Sequence, residues 1–193
     1  MPTAGMPPMS ASVELVRPCF ALRDSYRELV AEVAAAGERP VPFVLAFAHD
    51  DFAAFLDRLD ACARGIDLPE GFVAHSTHWL VRDRCEVVGV ANIRHSLTPA
   101  LRREGGHIGY GIRPGARRQG FGSTILRLSL DHAAQLGITR ALVTCAKANI
   151  GSAKAIVRNG GVLESEEFLP TRGELVQRYW IENGPDASAR DRR

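Results

Sequence analysis

The chain has 193 residues, 46% of them apolar and 24% charged, with a net charge of +2. That is an ordinary composition for one soluble globular domain with an ample core, and it lacks the large basic field that would imply nucleic acid. Cys19, Cys62, Cys85 and Cys145 form no Cys-x-x-Cys pair. This argues against zinc or a disulfide framework and reads as four thiols of a cytoplasmic protein.

Residues 1–12 carry proline and small residues but neither the basic nor the apolar region of a secretory leader. They and the polar segment 184–193 are expected as mobile tails flanking a single domain, 13–183. No run approaches transmembrane length. Val13–Arg17 reads as a strand stopped by Pro18. Leu22–Ala36 follows as a helix closed by Gly37, with Leu22, Tyr26, Leu29, Val30 and Val33 on one stripe. Glu38–His49 holds Pro40, Pro42 and an apolar run, and its state stays open. Asp50 or Asp51 caps a helix running to Arg64, with Phe52, Phe55, Leu56 and Leu59 inward and Gly65 as its stop. A loop over Ile66–Ser76 leads to a hairpin, Thr77–Arg82 and Glu86–His95, across Asp83-Arg84-Cys85. Leu97–Glu104 is a connection with a helical turn. Strands and helices then alternate: Gly106–Ile112, Gln119–Leu136, Arg140–Cys145, Ile150–Asn159 and Val162–Glu167, with Leu175–Glu182 as a last strand. The pattern is mixed α/β, an antiparallel front half followed by crossover units.

The junction after Ile112 carries the most chemistry. A strand, a turn rich in glycine and arginine, and a helix N-terminus make a site for a phosphorylated ligand. The first amides of a helix lack intrahelical partners, and the helix dipole adds positive charge there. Gly120 and Gly122 allow close approach to the backbone. Arg117 and Arg118 can add charge-assisted hydrogen bonds. Gly115 and Gly120 have the separation of a nucleotide P-loop, but Phe121 and Gly122 stand where that loop needs Lys and Ser or Thr. The Gly-x-Gly-x-x-Gly dinucleotide fingerprint is also not formed.

What does fit is Arg-x-x-Gly-x-Gly, Arg117 through Gly122, after a strand ending Ile-Arg-Pro. It resembles the acetyl-CoA pyrophosphate loop of the GNAT N-acetyltransferases. A second block is similar to the same family: strand Thr139–Cys145, then Asn149, Ser152, Ile156 and Gly160-Gly161. The two blocks cover Gly105 to about Glu164. Leu68–Gly71, Thr77–Val81 and Gly105–Tyr110 resemble an uncharacterised bacterial branch of predicted acetyltransferases.

The resemblance implies a GNAT fold in which the strands holding Tyr110 and Leu142 run parallel and splay apart around a pantetheine cleft. It implies direct transfer of the acetyl group of acetyl-CoA to an amine of a small molecule or a protein. The backbone N–H of Ile112 would polarise the thioester carbonyl, and the amides of Arg117, Arg118, Gln119, Gly120, Phe121, Gly122 and Ser123 would hold the pyrophosphate. Asn149 would reach the pantetheine or a bridging water, with Ser152 as the small residue beside it. Relatives often place a thiolate-protonating tyrosine where this chain has Ile156, so Tyr110 and Cys145 are the substitutes, or a water. The base position falls on His107, with Glu104 second. No metal, flavin or nucleotide is implied, and a homodimer is common among such enzymes.

Plainer readings stand beside these. Arg117–Gly122 is a surface turn, Asn149 a helix cap, His107 structural, Tyr110 core and Cys145 a small buried hydrophobe. Trp79, Arg94 and His95 could line an acceptor pocket; equally, Trp79 is core and Arg94 a solvated edge charge. His75, His78 and His95 have no metal-ligand spacing with a matching carboxylate. Alternative functions keep the fold but change the donor to another acyl-CoA or the acceptor to an aminoacyl-tRNA, which the near-neutral charge disfavours. A further alternative is a catalytically silent acyl-CoA sensor, which the missing tyrosine favours.

Overall fold

Strand alternation in the front half produces a four-stranded antiparallel sheet. In the computed structural model, which describes residues 12–184, β1 (Val13–Val16), β2 (His75–Arg82), β3 (Glu86–Arg94) and β4 (Ile108–Ile112) lie in that order. Apart from Ser12 and Gly184, the expected tails fall outside the described residues. One face of the sheet presents Trp79, Val81 and Val90 to α1 (Arg23–Ala35) and α2 (Phe52–Arg64), which contribute Tyr26, Leu29, Phe52 and Phe55. Tyr26 stacks on Trp79 with centroids 4.7 Å apart; such pairs add about 0.5–1.5 kcal/mol to area burial. Trp79 is therefore core and lines no pocket. The opposite face, through Leu80, Ala91 and Ile108, packs on Ile125 and Leu126 of the helix that follows the arginine loop.

The hairpin between β2 and β3 and the α2 cap follow the sequence reading, with Asp51 accepting from the Ala54 amide at 3.1 Å. Glu38–His49 resolves into irregular chain with one 3-10 turn, Phe43–Ala46. Its prolines lack the amides that a longer helix would need. After β3, α3 (Pro99–Arg103) is capped by Thr98, whose hydroxyl accepts from Leu101 N–H at 3.2 Å. The strand expected from Gly106 starts two residues later. The Gly106 amide donates to Leu101 O instead of to β3, at 2.8 Å.

The back half forms a second sheet, β5 (Arg140–Ala146), β7 (Glu174–Glu182) and β6 (Val162–Leu169), antiparallel in the order β5-β7-β6. It packs on α4 (Phe121–Gln135) and α5 (Ile150–Arg158) through Val143, Tyr179, Ile181 and Ile156. The two sheets meet where β4 begins. Gly106 bridges Val143, His107 N–H donates to Leu142 O at 2.7 Å, and Leu142 N–H donates to His107 Nδ1 at 2.9 Å. Beyond this clip no ladder joins β4 to β5 among the described residues. The result is a wedge that opens toward the N-termini of α4 and α5. Among the described residues no helix is long and apolar enough to cross a membrane.

Candidate active site

The loop between β4 and α4 is held by its own charges. Arg113, extended at ψ 128 before Pro114, pairs with Glu32 at 2.7 Å and Glu28 at 3.2 Å. Glu32 also accepts from the Gly115 amide at 3.2 Å, which fixes the turn Pro114–Ala116 against α1. Arg118 and Gly120 then both take positive φ, 60 and 86. Chain turned this way gathers successive N–H groups into an anion-binding concavity. Gly120 is the N-cap of α4 and has no side chain to cap it. A Cβ there would project into open space, so the amides of Phe121 and Gly122 face the cleft unscreened.

Strand pairing decides which β4 amides face the wedge. Arg94 N–H donates to His107 O and Arg113 N–H to Val88 O. With Gly109 opposite Asn92 and Gly111 opposite Val90, that phase gives the odd-numbered residues to the β3 ladder. The backbone groups of Tyr110 and Ile112 therefore point away from β3, into the wedge.

A cleft of about 750 Å³ runs from this wedge to the loop. Of the residues expected at the site, Tyr110, Ile112, Arg117, Arg118, Gly120, Phe121, Gly122, Ser123, Asn149 and Ser152 line it; His107 and Gln119 do not. Gln119 turns toward Arg82 and Gly115 O, 3.4 Å from each. Phe121 offers backbone only, because its ring lies in the core. Asn149 caps α5, its Oδ1 accepting from Ser152 N–H at 3.0 Å, which leaves its Nδ2 for a ligand. Arg117 faces the cleft but is held: both terminal nitrogens bond Glu38 at 2.6 Å, and its Nε donates to Ile112 O at 3.1 Å.

Sequence reasoning missed the far wall. Gly151, Lys154, Ala155 and Arg158 of α5 line the cleft opposite the loop, as do Glu38 and Arg39 after α1. The stripe 151, 154/155, 158 is a helical face, and that spacing was the available signal. Lys154, Arg158, Arg39 and Arg118 have no ion-pair partner among the described residues, whereas Arg117 does. The cleft thus combines a cationic mouth with an apolar interior that includes Leu29, Val33 and Leu45.

Burial sets the titration of the candidate groups. Tyr110 is pushed up to about 12, chiefly by desolvation, with Cys145 adding and the Ser152 bond opposing. Its hydroxyl lies 3.1 Å from Ser152 Oγ. Cys145 is raised to about 11 by burial, so it stays a thiol. His107 is lowered to about 4, by desolvation first and then by Arg102 and Arg94. Because its Nδ1 accepts from Leu142 N–H, its proton sits on Nε2 and it has no free lone pair. Glu104 lies outside the cleft lining, with Thr171 and Arg172. Ile156 is fully buried. Arg94 is not a solvated edge charge: it bonds Gly106 O at 2.9 Å and lies over the Phe43 ring. His95 is bonded to Ser76 at 2.8 Å.

A family model described as an acetyltransferase (GNAT) domain matches residues 26–162. No curated protein sequence matches. Among solved structures, the chain is similar to RimL, a ribosomal L7/L12 alpha-N-protein acetyltransferase in complex with coenzyme A, at 19% identity and TM-score 0.65, covering 91% of this chain and 96% of that one. It is similar to a dodecameric spermidine N-acetyltransferase from Vibrio cholerae at 15% identity and TM-score 0.58, with 89% and 94% covered. The microcin C7 self-immunity acetyltransferase MccE, in complex with acetyl-CoA and AMP, aligns at 14% identity and TM-score 0.61, with 88% and 92% covered.

Proposed function

Because the chain belongs to the GNAT acetyltransferase family and is an acetyl-CoA-dependent N-acetyltransferase, we propose that it acetylates a protein or small-molecule amine in the wedge between β4 and β5. The observation that carries this reading is the pairing phase of β4, which turns the Ile112 amide into a cleft whose mouth holds the α4 amides.

Acetyl-CoA supplies an activated thioester carbonyl. The amides of Gly120, Phe121 and Gly122, with Arg118, Lys154 and Arg158, would hold its phosphates. The Ile112 N–H donates to the carbonyl oxygen as negative charge develops on amine attack. The Tyr110 hydroxyl lines the same cleft, 3.1 Å from Ser152 Oγ, where it would meet the departing sulfur. A phenol at about 12 does not yield its proton to a thiolate whose conjugate acid lies near ~8.5. Tyr110 therefore stabilises the thiolate by donating a hydrogen bond, and Ser152 orients it. His107, its lone pair already used by Leu142, acts by clipping β4 to β5 and takes no proton from the amine; that proton leaves to water.

The test is thiol release from acetyl-CoA with three acceptor classes: peptide N-termini, lysine side chains and polyamines. Acetylation of at least one class, verified by product mass, is expected. Tight acetyl-CoA binding with no turnover in any class would refute the reading.

A further inference from the structure

Arg117 opens the loop motif, yet its side chain bonds the protein itself. Its Nε donates to Ile112 O at 3.1 Å, and its two terminal nitrogens bond the two oxygens of Glu38, each at 2.6 Å. All three nitrogens are engaged at once, in the planar fork that a guanidinium offers and an ammonium does not. Arg118, Lys154 and Arg158 line the same cleft and hold no ion pair among the described residues, so phosphate charge has other cations to meet.

Glu38 begins segment 38–47, which lies as a wall against β4. Pro42 would meet a Cβ on Gly109 at 3.7 Å, and the Val41 carbonyl fills the place of a Cβ on Gly111. The residue after Ile112 is fixed as well. Arg113 N–H donates to Val88 O at 2.9 Å, and its guanidinium, 13% exposed, pairs with Glu32 of α1 at 2.7 Å. The end of β4 is therefore tied to α1 through Arg113 and to the wall through Arg117.

The pairing phase of β4 gives the second tie a chemical meaning. In an antiparallel strand the N–H and C=O of one residue point the same way. Ile112 thus turns its carbonyl into the wedge together with its amide. A bare carbonyl there would set partial negative charge beside the thioester oxygen, where negative charge develops, and would weaken what the amide supplies. The Arg117 Nε–H covers it. We propose that Arg117 is a positioning residue for acyl transfer: held by Glu38, it caps the Ile112 carbonyl, fixes the end of β4 and leaves the Ile112 amide as the group that meets the developing oxyanion. It is not a phosphate ligand. The proposal rests on the acetyl-CoA reading above.

The test compares wild type with Arg117→Lys and with the double variant Glu38→Gln/Arg117→Gln, which removes the pair without changing net charge. Acetyl-CoA Kd is measured by titration, and kcat with the acceptor class turned over in the assay above. Both variants are expected to lose about tenfold or more in kcat, while acetyl-CoA Kd stays within about twofold. Lysine does not rescue, because an ammonium keeps the charge but cannot bond Glu38 and Ile112 O together in the same fork. An unaltered kcat overturns the proposal. So does a Kd weakened about tenfold in the double variant with kcat at saturation unchanged, which would make Arg117 a phosphate ligand. A second readout needs no turnover: by NMR on the full chain, the Arg117 Nε–H is expected to exchange with water about tenfold more slowly in wild type than in Glu38→Gln. In a chain that acetylates no amine, that protection upholds the clamp on Ile112 and overturns the transfer reading alone. Equal exchange in the two proteins overturns the clamp.

Discussion

Tyr110 and His107 lie three residues apart, and burial shifts their titration in opposite directions, up for the phenol and down for the imidazole. Tyr110 keeps its proton at any physiological pH and reaches Ser152 across the wedge. Losing one hydrogen bond to a charged leaving group costs about 1.5–3 kcal/mol. Tyr110→Phe should therefore lower kcat by about 10- to 100-fold with acetyl-CoA affinity nearly unchanged; an unaltered kcat in single-turnover kinetics would exclude the role. His107, His75 and His78 are all lowered from an ordinary value of 6.5 to about 4, with desolvation the leading cause in each. Unfolded, these rings take up protons as pH falls through 6.5; folded, they wait until about 4. Between those values the unfolded chain binds more protons, so stability is full above pH 6.5 and falls toward pH 4. Melting followed by circular dichroism should give a Tm that drops steadily from pH 7 to pH 5, and a flat profile would mean the three rings are solvated. The clip at His107 was not readable from the sequence, because the Leu142 amide that occupies its Nδ1 lies 35 positions along the chain.

At the scale of elements, the loop and the wall behave differently. The arginine–glycine loop was legible because its chemistry is local: strand end, proline, positive-φ glycine and helix N-terminus follow within a dozen residues. The wall over 38–47 was not, because no periodicity marks irregular chain, and its meaning depends on β4 glycines about seventy positions away. Its first residue, Glu38, holds Arg117 by two bonds of 2.6 Å, and the arginine in turn keeps the Glu38 carboxyl below its usual range. A phosphate at the cleft mouth competes with that carboxylate. Glu38→Gln should therefore tighten acetyl-CoA binding, by a few fold for a half-exposed pair, and steepen its dependence on salt. Weaker binding in this variant would show that Glu38 serves to position Arg117 for the phosphate.

Across the whole molecule, the proposed site lies where two sheets touch at one clip and then part. The order of elements was recoverable from alternation, caps and the crossover pattern, so the fold class was within reach of the sequence. The cationic mouth was only half within reach. Arg118 lies in the motif, but Lys154 and Arg158 acquire meaning once α5 stands opposite α4 and the Gly151–Arg158 stripe faces the same cleft. Together with Arg39 they line the cleft as cations without giving the protein a basic surface, and on the proposed reading they would balance the phosphates of a coenzyme in a chain whose net charge is only +2. The most direct test of this account is isothermal titration with acetyl-CoA, with CoA and ATP as controls, on the wild type and on Gly120→Val. At a φ of 86 a β-branched residue is strained, so the variant should distort the loop amides and lose the ligand. Micromolar acetyl-CoA binding is expected to disappear in Gly120→Val while circular dichroism shows the variant still folded, its melting temperature lowered by several degrees by the strain; equal affinity in the folded variant would contradict this reading.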